Sequence, residues 1–121
     1  MEQWKGELER RQAVTWVVED VENQSLAAYL VAWRVLCVLE VVEVAVAPAY
    51  RRQGVASILF ETLKAISTVG GISKILLEVR VSNREAIEFY RDLGFRITAR
   101  HDGFYADDEA AFSMGWPPGE G

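Results

Sequence analysis

The chain has 121 residues, half of them apolar and 26% charged, enough for one hydrophobic core and too few for two, so a single domain over residues 1–121 is expected. Its formal charge of −5 argues against a nucleic-acid partner, since duplex binding needs clustered Lys and Arg, and is compatible with a cationic one such as an amine. No apolar run reaches the roughly 18 residues of a membrane helix, no secretory leader is visible, and the lone Cys37 cannot close an internal disulfide, so a cytoplasmic protein with no membrane partner is expected.

In chain order, Trp4 to Gln12 predicts a short amphipathic helix with Trp4 and Leu8 on one stripe. The β-branched and aromatic run Ala13 to Glu19 predicts a strand, and the polar cluster Glu19 to Ser25 a turn. Strands follow at Leu26 to Val35 and Leu39 to Val46; Pro48, with no N–H to donate, ends the pairing. Val55, Ile58, Leu59, Leu63 and Ile66 recur at helical spacing, and Gly70-Gly71 stops that helix. Ile75 to Val81 predicts a strand and Arg84 to Leu93 a helix closed by Gly94. Phe95 to Arg100 and Ala110 to Trp116 predict two more strands. Strands in series, then strand–helix–strand–helix–strand, predict an α/β domain with a mixed sheet and helices on its faces.

Two stretches carry chemistry. The first is Tyr50-Arg51-Arg52-Gln53-Gly54-Val55-Ala56, between a strand and a helix start. A turn there aims free backbone N–H groups out of the positive end of the helix, which makes an anion site. Gly54 and Ala56 would let a phosphate approach the backbone, and Arg51 and Arg52 add charge. Neither a Gly-x-x-x-x-Gly-Lys-Ser/Thr nor a Gly-x-Gly-x-x-Gly pattern is present, so neither a nucleoside triphosphate nor a dinucleotide is the obvious ligand.

The second is Leu77-Glu78-Val79-Arg80-Val81-Ser82-Asn83. Alternation puts Ile75, Leu77 and Val79 on one face of a strand and Leu76, Glu78 and Arg80 on the other. A carboxylate in the middle of such a strand either pairs with a cation, such as Arg80, or serves as a base. Ser82 to Glu85 matches a capping box for the next helix. On that helix Ala86, Ile87, Tyr90 and Leu93 share a stripe, so Tyr90 faces inward with a hydroxyl that needs a partner. His101 stands isolated, as a surface or turn residue, and no His/Cys cluster is present to hold a metal.

Tyr50 to Ala56 resembles the motif with which the GNAT superfamily of N-acetyltransferases cradles the pyrophosphate of coenzyme A. Leu-Glu-Val-Arg-x-Ser-Asn (Leu77 to Asn83), then Ala86-Ile87, Tyr90 and Leu93-Gly94-Phe95, is similar to the downstream segment of that superfamily's N-terminal acetyltransferases. Two branches fit, the bacterial ribosomal-protein alanine acetyltransferases and their archaeal relatives. Phe104 to Ala110 resembles their Tyr-Tyr segment, and the matches together cover Glu40 to Met114.

The resemblance implies a GNAT fold, a mixed, mostly antiparallel sheet flanked by helices, here without the N-terminal strand and first helix. It implies acetyl-CoA as co-substrate, no metal, and a protein N-terminus or a small amine as acceptor. Val44, Ala45 and Val46 would hold the pantetheine arm and acetyl carbonyl, and Arg51, Arg52, Gln53, Gly54, Val55, Ala56 and Ser57 the pyrophosphate. Asn83 would bond the pantetheine arm, Glu78 would be the general base and Tyr90 the general acid. Phe104 and Tyr105 would frame the acceptor. The chain departs from the pattern in its shortened N-terminus, which leaves it truncated, minimal or completed by a second subunit, a homodimer being one form of that. It also has Phe104 where Tyr is common and Ala28 where glycine is common. A small-molecule or lysine acetyltransferase and a non-catalytic acetyl-CoA-binding module are the alternative readings.

Overall fold

The computed structural model describes residues 11–117. They form β1 (Arg11–Asp20), β2 (Ser25–Val35), β3 (Val38–Val46), a 3-10 turn at Pro48–Tyr50 and α1 (Val55–Val69). After these come β4 (Lys74–Arg80), α2 (Arg84–Asp92), β5 (Arg96–His101) and β6 (Ala111–Trp116). Each strand and helix expected from Ala13 onward is present. The helix expected over Trp4 to Gln12 lies mostly outside the described residues. Its last two positions are strand instead, because Arg11 and Gln12 continue the β1 ladder against Val35 and Arg34.

The six strands form one sheet in the order β1-β2-β3-β4-β6-β5. All neighbours are antiparallel except β3 and β4. The crossovers β3–α1–β4 and β4–α2–β5 step across the sheet in the same direction. Being right-handed, as such connections are, they put both helices on one face. The core lies beneath them. Leu30, Phe60, Leu63, Ile75, Phe95 and Met114 are fully buried there, each large apolar side chain contributing about 1.5–3 kcal/mol. Ile75, Leu77 and Val79 of β4 face this core, so Glu78 projects from the other face, as alternation requires.

On α1 the buried stripe is Val55, Leu59, Leu63 and Ser67, with Phe60 beside it. Ile58 and Ile66, expected in the stripe, are 58% and 41% exposed. They lie on the flank of the apolar arc, where helical spacing alone does not separate core from rim.

One irregularity shapes the rest. The β2–β3 register shifts between Val31 and Ala32, leaving Val42 as an extra residue in β3. A bulge of this kind bends its strand and tightens the twist. Parallel pairing of β3 with β4 covers only Val38–Lys74, Leu39–Ile75 and Glu40–Leu76, although the strands run on to Val46 and Arg80. Past Glu40 and Leu76 the two strands part. The gap leaves alternate backbone N–H and C=O groups of β3, from Val41 to Val46, without a strand partner on that side.

Candidate active site

The turn after β3 is built from local interactions. Tyr50 Oη donates to Asp20 Oδ2 at 2.6 Å and lies 2.6 Å from Ser25 Oγ, tying the turn to the β1–β2 connection. This bond, with those from Asn23, holds the Asp20 carboxyl below its ordinary range. Arg51 Nε donates to the Val46 carbonyl at 3.2 Å, and Gln53 Nε2 to the Ala49 carbonyl at 2.9 Å.

Gly54 then opens α1 at φ +75°, a left-handed conformation that glycine adopts without a Cβ penalty. No side chain caps this end, and the first intrahelical bond runs from Ile58 N–H to Gly54 O. The N–H groups of Val55, Ala56 and Ser57 therefore have no intrahelical acceptor and point out of the positive end of the dipole.

These donors border a continuous groove on the helix face. One part, of about 750 Å³, is lined by Val44, Arg51, Ala56, Asn83 and Phe89 among others. The adjoining part, of about 480 Å³, shares Arg51, Ala56 and Phe89 and adds Val46, Arg52, Gly54, Val55 and Ser57. The structure thus gathers most of the expected coenzyme residues and leaves two aside. The Gln53 amide is turned back onto its own turn, and Ala45 lines a separate cavity of about 270 Å³ beside Tyr29.

Asn83 is the N-cap of α2, its Oδ1 accepting from Ala86 N–H at 3.1 Å. The expected capping box begins one residue too early: the Ser82 N–H is taken by Glu109 Oε2 at 3.2 Å.

Tyr90 packs edge-on against Phe60, Phe89 and Phe95, at centroid separations of 5.4, 5.4 and 5.8 Å. Burial raises its phenol above the ordinary value, so it stays protonated at neutral pH. The hydroxyl has no hydrogen-bond partner among the described residues, where a core partner was expected.

The Leu93-Gly94-Phe95 phrase explains this placement. Gly94, at φ +99°, lets its N–H reach the Arg91 carbonyl at 2.9 Å, and the Phe95 N–H reaches Tyr90 O at 3.0 Å. That is a Schellman closure, whose usual apolar contact is here the Tyr90–Phe95 ring pair.

On the opposite face Glu78 is half-buried, two positions past the last β3–β4 pair. Arg80 does not pair with it. Its Nη1 donates to Asp107 Oδ2 at 2.8 Å and to Glu109 Oε1 at 2.9 Å, and its guanidinium stacks 4.0 Å from the Tyr105 ring centroid. Among the described residues Glu78 makes no ion pair; its partner is the Ser113 hydroxyl, which donates to Oε2. Tyr105, pushed up chiefly by burial, also feels the Glu78 charge, so its phenol lies within electrostatic reach of that carboxylate. Phe104, half exposed, meets Tyr105 edge-on at 5.0 Å.

Ser113 and His101 were not anticipated at the site. His101 is exposed, as expected of a surface residue, and ends β5 rather than standing in a turn, with Nε2 2.8 Å from Ser113 Oγ. The Ile-x-Leu-x-Val alternation of β4 gives no hint of them, because they come from other strands.

Similarity to known proteins agrees with this geometry. The family model described as Acetyltransferase (GNAT) family matches residues 1–95. An N-alpha-acetyltransferase of Saccharolobus solfataricus is 42% identical over 78 residues, 64% of this chain and 47% of that protein. A [ribosomal protein bS18]-alanine N-acetyltransferase of Escherichia coli K12 is 34% identical over 84 residues, 69% of this chain and 57% of that one. The chain spans about half the length of the curated relatives it matches. The crystal structure of the ribosomal-protein-S18-alanine N-acetyltransferase from Escherichia coli superposes with a TM-score of 0.80 at 29% identity, covering 99% of this chain and 77% of that one. With a glycine-opened, uncapped helix start, a parted strand pair and a family model spanning more than half its length, the chain belongs to the acetyltransferase (GNAT) family.

Proposed function

We propose that the chain transfers the acetyl group of acetyl-CoA to the N-terminal α-amine of a protein. The observation that carries the reading is the opening between β3 and β4, with orphan helix N–H groups on one face of the sheet and, on the other, a carboxylate that makes no ion pair among the described residues.

On the helix face, the N–H groups of Val55, Ala56 and Ser57 with Arg51 and Arg52 hold the pyrophosphate, and the free edge of Val44 to Val46 holds the pantetheine amides. The thioester carbonyl then lies at the opening. From the other face the acceptor ammonium gives a proton to Glu78, directly or through water, and the freed lone pair attacks the carbonyl carbon. As the C–S bond breaks, Tyr90 supplies a proton to the leaving thiolate. Its raised pKa keeps that proton in place until charge develops on sulfur.

The preference for a protein terminus is supported by the names of the relatives and by the Phe104-Tyr105 wall beside Glu78. An α-amine has a pKa near 8, about two units below a lysine side chain, so one carboxylate is a sufficient base.

The test offers peptides that begin with Ala, Ser or Met, and the same peptides blocked at the N-terminus but carrying an internal lysine. Mass spectrometry is expected to find acetyl on the free termini. Equal or faster acetylation of the blocked lysine peptides would overturn the acceptor assignment.

A further inference from the structure

Glu78, Ser113 and His101 come from three strands and meet on the face of the sheet opposite α1 and α2. The β4–β6 register sets Glu78 opposite Ser113, and the β5–β6 register sets Ala99 opposite Ser113 and His101 opposite Ala111. All four therefore share one face with Glu78. Ser113 sits in the strand between the other two, half-buried, while His101 is exposed.

The polarity of this array is fixed by counting protons. A serine hydroxyl carries one hydrogen. It is given to Glu78 Oε2, so the 2.8 Å contact from His101 must be an Nε2–H donating to Ser113 Oγ. Two donors in series thus point at one carboxylate oxygen, and each bond polarises the next. The other oxygen, Oε1, has no partner among the described residues.

We propose that Ser113 and His101 are positioning residues for the base. They hold the Glu78 carboxylate in one rotamer, committing Oε2 inward and leaving Oε1 as the atom that takes the acceptor's proton. The proposal rests on the reading of Glu78 as the base.

Glu40 of β3, opposite Leu76, shares this face and makes no ion pair among the described residues. From β4, Arg80 is taken by Asp107 and Glu109 of the β5–β6 connection. Tyr105 remains neutral, its phenol pushed up chiefly by burial.

The measurement is kcat, with KM for peptide and for acetyl-CoA, at one pH. Ser113→Ala is expected to lower kcat by about 10-fold, the scale of one lost hydrogen bond to a charged group, with both KM values unchanged. Ser113→Thr keeps the hydroxyl and restores kcat. His101→Leu, at an exposed position, lowers kcat the same way by less, and His101→Gln, which keeps an N–H donor, returns it.

An unchanged kcat in Ser113→Ala, or a loss that Thr does not rescue, overturns the proposal. A kcat that falls in Ser113→Ala but holds in His101→Leu removes His101 from it. Glu78→Gln separates this from the underlying reading: full activity there sinks the base itself, whereas loss there with an unchanged kcat in Ser113→Ala sinks only the array.

Discussion

Gly54 combines two properties that rarely coincide: a left-handed backbone and open space where a side chain would go, with nothing within 4 Å of a Cβ placed there. Its replacement is therefore tolerated sterically and strained only by φ, a cost of about 1 kcal/mol. Gly54→Asp should fold, yet it sets an anion where the proposed pyrophosphate must approach the N–H groups of Val55 to Ser57. Calorimetry should show acetyl-CoA affinity collapsing in a variant whose melting temperature is little changed; unaltered affinity would remove the turn from the site. At Tyr90 the hydroxyl lacks a partner among the described residues, so Tyr90→Phe keeps the contacts with Phe60 and Phe95 and loses only a proton. Turnover is expected to fall by about 10²-fold with coenzyme binding intact. Wild-type turnover would make Tyr90 a packing residue. Both positions stood out in the sequence because their signals are local, a glycine at a helix start and a tyrosine on an inward stripe. Ser113 did not, since it lies 35 residues from Glu78 and meets it only through strand register.

Elements were legible wherever periodicity was strong, and least so at their ends. The β1 ladder begins two residues before the run of β-branched residues, and the α2 cap falls on Asn83 rather than Ser82, because pairing and capping depend on partners beyond the segment. The β5–β6 connection gave no sequence signal for its anchor. It is held by Arg80, which bridges Asp107 and Glu109, while Glu109 also accepts the Ser82 N–H. Backbone donation to Asp107 and the Ser82 bond to Glu109, ahead of the Arg80 charge, keep both carboxyls below their ordinary range. A depressed folded-state pKa stabilises above the unfolded value, near 4, and the contribution is lost as pH falls through the folded one. Hydrogen-exchange protection in residues 103–109, corrected for the intrinsic rate at each pH, should therefore be steady at neutral pH and fall only below about pH 4. Arg80→Ala should release the loop at every pH, raising the KM for peptide several-fold while the KM for acetyl-CoA stays put. Equal changes in both would mean that the loop serves the fold rather than the acceptor.

At the scale of the molecule, strand order and the bulge at Val42 were beyond sequence reasoning, since neither leaves a compositional trace. The sheet's class and the grouping of the coenzyme residues were within it, because strand, turn and helix follow one another directly from Val44 to Ser57. On the proposed function, the parting of β3 from β4 has a kinetic consequence. A window through the sheet would give each substrate its own doorway, so neither would have to leave before the other arrives. The acyl group would then pass hand to hand inside one ternary complex, with no covalent acyl-protein stage. Double-reciprocal plots at several fixed acetyl-CoA concentrations should intersect, and radiolabelled acetyl should not remain on the protein after gel filtration in the absence of acceptor. Parallel lines would mean that a single doorway is used in turn.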